Sequence, residues 1–379
     1  MKKLAILAAA IALCGCEALQ SFNPFYSGAK IEDAPQFANT REVKKNWTAE
    51  VGESGKNILR LGVLGERLIA AGMEGKIKAF SKGGALLWEK TLENISISAG
   101  VGADEELVFV GSNKGDVFAL SALTGEEVWK TKLSSAVVQT PVSTPIGVLV
   151  KSADERIFLL NRQTGERVWF YQHTIPTLQV RDSAVPVFAG GFIFAGFDGG
   201  KLLALSPETG LPIWQGQVAV PKGANELDRL TAVATPLVEG EVLCATAFQG
   251  QTACFNMMQA GVQLWAKKIG SAQALSSNHS ALFVSDDSGV LYALDKTTGA
   301  TLWKNDSLVT RNPSAIAVGN DVLAVGDLEG YVYFLSAENG QFLAKVETDG
   351  KPILAPITFD NGQFLLQTEG GRIVALEVL

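Results

Sequence analysis

The chain has 379 residues, 39 of them Gly, with 47% hydrophobic and 19% charged residues, a balance that excludes wholesale disorder. Lys and Arg number 32 against 39 Asp and Glu, and this net charge of −7 argues against a broad nucleic-acid-binding surface. Length alone suggests two or three domains, unless the chain is a propeller or barrel that runs long as one domain.

The first predicted element is an address. Met1-Lys2-Lys3 precedes an apolar run from Leu4 to Leu13, which ends in Cys14-Gly15-Cys16. Such a run is too short to span a bilayer and reads as a secretory signal. Its end resembles the bacterial lipobox, in which the Cys after a small residue is lipidated and becomes the mature N-terminus; here that is Cys16. Glu17, in place of the Asp that marks inner-membrane retention, resembles an outer-membrane address. Cleavage before Cys16 removes two Lys and no acid, leaving side chains that sum to −9. No later apolar stretch reaches eighteen residues, so the body is expected in the periplasm. The expected divisions are a signal at 1–15, a lipidated N-terminus and tether at 16–43, and a folded domain at 44–379.

The body repeats one phrase. Gly115-Asp116-Val117-Phe118-Ala119-Leu120 with Gly125 and Trp129 returns as Gly289 to Leu294 with Gly299 and Trp303. Further copies begin at Gly75, Glu155, Gly200, Gly250, Gly330 and Gly371. Trp falls at 47, 88, 129, 169, 214, 265 and 303, at intervals of 41, 41, 40, 45, 51 and 38, so every Trp is a repeat position. Ala344 stands where an eighth would be. Each unit alternates short β-rich runs with Gly turns, which predicts one four-stranded antiparallel propeller blade per unit. The last unit lacks its Trp strand, and the N-terminus carries an orphan one around Trp47. Joining them predicts an all-β, eight-bladed propeller closed by an N-terminal strand that completes the last blade and removes the free edge.

Chemistry is sparse. His173 and His279 stand alone, with no zinc spacing, nucleophile elbow or phosphate loop around them. Acidic residues recur in blade turns at Asp154, Glu155, Asp198, Asp286, Asp287, Asp327 and Glu329, and read as turn chemistry on a solvated rim rather than as metal ligands. Cys244 and Cys254 flank a predicted turn almost symmetrically. A cross-strand disulfide and two buried thiols in neighbouring strands are both open readings. The long Trp intervals place insertions at His173–Ser183 and Val220–Leu230. Both follow a Trp strand, so they are expected on one face of neighbouring blades, where apolar residues with Arg form a binding hot spot.

Lipobox, tether, repeats and insertions together resemble the BamB family of outer-membrane β-barrel assembly lipoproteins, over the whole chain. Leu178, Val180 and Arg181 are similar to that family's Leu-x-Leu-Arg loop, and Asp228, Arg229 and Leu230 to its Asp-Arg-Leu phrase. The family's following Asp-x-Asp pair reads Ala232 and Ala234 here, so it is left out of the site. The resemblance implies a non-catalytic scaffold, with no catalytic residue, metal or cofactor, anchored at the periplasmic face of the outer membrane. It implies binding to the periplasmic POTRA domains of BamA and, more weakly, to unfolded barrel precursors. The rival readings are a periplasmic quinoprotein-type enzyme and a propeller that binds another envelope component.

Overall fold

A computed structural model of the chain describes residues 31–174 and 184–379. Cys16, Leu178, Val180 and Arg181 lie outside the described residues. The described chain is almost entirely β: eight antiparallel sheets arranged as an eight-bladed propeller, with one short 3₁₀ turn at Met257–Gln259. Blade 1 runs Gly62–Leu64, Arg67–Ala71, Lys76–Ser81 and Leu86–Thr91, from the first, innermost strand to the fourth, outermost one. Blade 5 differs only in its first strand, which is split into Ala232–Val233 and Leu237–Glu239.

Alternation along the strands explains why the blades stack. Leu68, Ala70 and Phe80 of blade 1 pack on Leu365, Ile373 and Ala375 of blade 8. Their neighbours Ile69, Ala71, Ile77 and Ala79 point the other way, onto Val108, Val110, Phe118 and Leu120 of blade 2. Both faces of one sheet are therefore apolar, and only a neighbour on each side can cover them. Each fully buried Val, Leu, Ile or Phe contributes about 1.5–3 kcal/mol relative to exposure.

The ring closes as the terminal repeats require. Val43–Glu50 pairs antiparallel with Arg372–Val378, placing Val43 opposite Val378 and Glu50 opposite Arg372. The Trp47 indole crosses the seam and donates to the Lys82 carbonyl of blade 1 at 2.7 Å. Lys82 reaches back to Asp360 of blade 8 at 2.8 Å.

Trp88, Trp129, Trp169, Trp265 and Trp303 repeat that indole bond, each to a carbonyl in the third-to-fourth turn of the next blade. Trp214 instead meets Phe255 edge-on at 5.3 Å. The exception at Ala344 has a geometric cause. In blade 8 the third and fourth strands are the two ends of the propeller chain, so the turn that would receive an indole is missing. Ala344 is buried instead among Phe334, Leu376 and the flanking Val43 and Val378.

Candidate partner-binding surface

In every blade the second-to-third turn and the exit from the fourth strand open on one face, hereafter the loop face. The fourth strands of blades 3 and 4 end there, at Gln172 and Gln217, where the two predicted insertions begin. The two connections meet where they re-enter the ring. Val185, at the end of the first, donates its N–H to Thr235 Oγ1 of blade 5 at 2.9 Å. Asp198 of blade 4 bridges to Ala232 of blade 5, just after the second.

The Val220–Leu230 connection is organised by Asn225. Its side-chain oxygen accepts the Asp228 N–H at 2.8 Å, and its carbonyl accepts the Arg229 N–H at 3.2 Å. This local turn leaves Leu227, Asp228 and Arg229 exposed at the tip. Among the described residues Arg229 has no ion pair, so it does not serve Asp228. Leu230 behaves differently from its expected role at the surface. It is buried against Ala232 and Phe248, with Ala272 alongside, and anchors the loop. Ala232 and Ala234 are also buried, in and just after the first strand of blade 5. A carboxylate at either position would be buried and would need a partner for its charge.

The first connection starts from an unexpected buried cluster. His173 packs at a tilt against Phe197 with ring centroids 4.6 Å apart, and its Nδ1 lies 3.4 Å from the Tyr171 hydroxyl. Lys151 lies over the same Phe197 ring at 4.9 Å, bonds the Gly196 carbonyl at 2.9 Å and pairs with Glu155 at 3.3 Å. Burial, with Lys201 and Lys151 nearby, drives the His173 pKa down to about 4, so the imidazole is neutral at physiological pH. Sequence patterning missed this cluster because Lys151 and Glu155 look like ordinary turn charges.

The acidic turn residues are turn chemistry, as expected, but several are not on a solvated rim. Asp286 Oδ1 accepts the N–H groups of Ser288 and Val290, and Asp327 Oδ1 those of Glu329 and Tyr331. Glu155, Asp198 and Asp327 are buried. Asp327 is held by the fully buried Arg311 at 2.7 Å and by the Tyr333 hydroxyl at 3.0 Å. Among the described residues, no three His, Cys, Asp or Glu side chains come together in a metal-holding group.

Cys244 and Cys254 face each other directly across the second and third strands of blade 5, with Cα atoms 4.1 Å apart, and are joined as a disulfide. The bond is buried against Trp265, Leu282 and Val284, well inside the blade 5–6 interface.

Several known proteins similar to this chain over most of their length share one name. A family model described as outer membrane protein assembly factor BamB matches residues 73–305 and 287–379. An outer membrane protein assembly factor BamB from Bordetella pertussis is 35% identical over 371 residues, covering 97% of this chain and 95% of its own. The crystal structure of BamB from Moraxella catarrhalis superposes with a TM-score of 0.82 at 26% identity, covering 89% of this chain and all of that one. A quinohemoprotein alcohol dehydrogenase from Comamonas testosteroni shares the fold alone, with a TM-score of 0.71 at 13% identity over 90% of this chain and 77% of its own. The chain belongs to the family of the outer membrane protein assembly factor BamB.

Proposed function

We propose that this chain is a non-catalytic scaffold of outer-membrane barrel assembly. Lipid on Cys16 holds it at the periplasmic face of the outer membrane, and its loop face binds the POTRA domains of BamA. Leu178, Val180 and Arg181 in the first connection and Asp228 and Arg229 in the second form the contact, with Leu230 fixing the second loop from below. Unfolded barrel precursors are a second, weaker class of ligand. The observation that carries this reading is the tip Leu227-Asp228-Arg229, exposed on a loop whose end is anchored by the buried Leu230. An apolar side chain next to a guanidinium free to find a new partner is the composition of an interface hot spot. The family name of the relatives supports the same assignment.

The test is co-purification of Arg229→Glu and Arg181→Glu with the partner's POTRA domains. Hot-spot loss of about 2 kcal/mol or more corresponds to roughly thirtyfold weaker capture. Unchanged capture by variants that melt like wild type sinks the loop assignment. Quinone-dependent dye reduction by the purified protein with Ca²⁺ would overturn the non-catalytic reading.

A further inference from the structure

We infer that residues 32–41 form a strap docked along the outer edge of blade 7, so that the lipid-bearing end of the chain leaves from the loop face. This rests on the anchoring of Cys16 proposed above. The strap runs antiparallel to the blade's fourth strand, Phe342–Glu347, from the loop face to the opposite face, where it turns into the closing strand at Val43. Its contacts are specific. Phe37 stacks on Phe342 with ring centroids 4.7 Å apart and planes 6° from parallel. The Asn39 side chain imitates a strand partner: its oxygen accepts the Lys345 N–H at 3.1 Å and its NH₂ donates to the Lys345 carbonyl at 3.5 Å. The N–H groups of Thr40 and Arg41 both point to the Leu343 carbonyl, and Lys345 Nζ holds the Pro35 carbonyl at 2.9 Å. Arg41 pairs with Asp321 at 2.8 Å.

The loop-face end is pinned most firmly. Glu32 donates its N–H to Thr310 Oγ1 at 3.2 Å, and its carbonyl accepts from Arg311. Arg311 is itself immobilised by Asp327 and by Glu329, each at 2.7 Å. The strap occupies the one blade edge where Trp is replaced by Ala344 and where blade 8 offers no turn. Sixteen residue steps from Cys16 to Glu32 reach at most about 55 Å, against about 90 Å for the twenty-seven steps to Val43. Docking therefore shortens the leash and moves its root from the far face to the face that carries the proposed partner loops. The membrane and the partner are then met by the same side of the disc.

Two measurements test this. In the lipid-free mature protein, trypsin cleavage after Arg41 is expected to be at least tenfold slower than in Phe37→Ala/Asn39→Ala, with unchanged melting of the propeller. Lys345→Ala loosens the same contact from the blade side and should also speed cleavage. Equal cleavage in wild type and both variants overturns the docking. In the lipidated protein on vesicles, a dye at position 222 on the loop face should transfer energy to acceptor lipids at least twofold more strongly than one at 241 on the opposite face. The strap variant should bring the two signals together. Equal transfer from both positions in wild type overturns the facing. Failure of the lipidated chain to bind vesicles overturns the anchoring reading itself, while cleavage at Arg41 still reports on docking independently.

Discussion

The Trp129 ring lies against Gly165 of the following blade so closely that a Cβ there would sit 2.5 Å from its Cε3. The indole N–H bonds the Arg162 carbonyl of the same turn at 2.8 Å. Gly165 also has φ +71°. The repeat phrase is thus a lock whose two halves sit in adjacent blades: the Trp of one and the turn Gly of the next. Gly165→Ala should cost about 1–2 kcal/mol for the left-handed backbone and about 1–3 kcal/mol more for overpacking. Gly190→Ala is the control. Its φ is +58°, but nothing lies within 4 Å of the added methyl, so only the backbone cost applies. Denaturant midpoints should place Gly165→Ala clearly below Gly190→Ala, and equal midpoints would show that the ring contact contributes nothing.

Restoring the repeat where it lapses should do harm. Ala344 is fully buried beside the closing strand, with no receiving turn across from it. Ala344→Trp forces a large ring into a filled interface and displaces either the strap or Val43–Glu50. A fall in melting temperature is expected from calorimetry, together with faster cleavage after Arg41. A variant at least as stable as wild type would mean that a receiving surface exists there after all.

The eight blades, the closing strand and the Trp positions were legible because a propeller writes one short pattern many times. Each copy checks the others, so Glu155 and Ala344 could be read as departures from a rule. The strap was not legible. Phe37 and Asn39 have no period, and their partners Phe342 and Lys345 are about three hundred positions away. The same holds for the surface. The phrase Asp228-Arg229-Leu230 looks uniformly like an exposed loop. Only the fold reveals that Leu230 is where the chain dives back into blade 5. Arg311 was invisible for a related reason: the acids that need it, Asp327 and Glu329, read as solvated turn residues.

Glu155 occupies the blade position held elsewhere by Gly, at φ +55°. Its side chain compensates by pairing with the buried Lys151 at 3.3 Å. Glu155→Gly relieves about 1–2 kcal/mol of backbone strain. It also strands the Lys151 ammonium in the interior, which costs about 3–5 kcal/mol. The net expectation is destabilisation by about 1–4 kcal/mol. Lys151→Met in the Glu155→Gly background should recover most of that loss. A double-mutant cycle on unfolding free energies checks this, and a Glu155→Gly single variant more stable than wild type would show that the pair contributes less than the strain.

His173 should make stability depend on pH below neutrality. Burial, then Lys201 and Lys151, lower its pKa from 6.5 to about 4 in the folded protein. The unfolded chain takes up the proton near the ordinary value. Between pH 6.5 and 4 the unfolded state therefore binds more protons, and stability falls as pH falls. The neutral-ring contribution is present in full above 6.5 and is lost as pH drops through that window. His173→Gln removes the titration while keeping a polar side chain beside Tyr171 and Phe197. The stability advantage of wild type over His173→Gln should be largest at pH 7.5 and shrink steadily toward pH 4.5. Asp104 does not confuse the measurement. Burial pushes its carboxyl up, but the Arg162 guanidinium, the Ser143 hydroxyl and the N–H groups of Leu107 and Glu106 outweigh that and hold it at about 2. Its stabilising share is intact above about pH 4 and declines only toward pH 2. A gap between wild type and His173→Gln that stays constant from pH 7.5 to 4.5 would mean that the imidazole titrates alike in the folded and unfolded states.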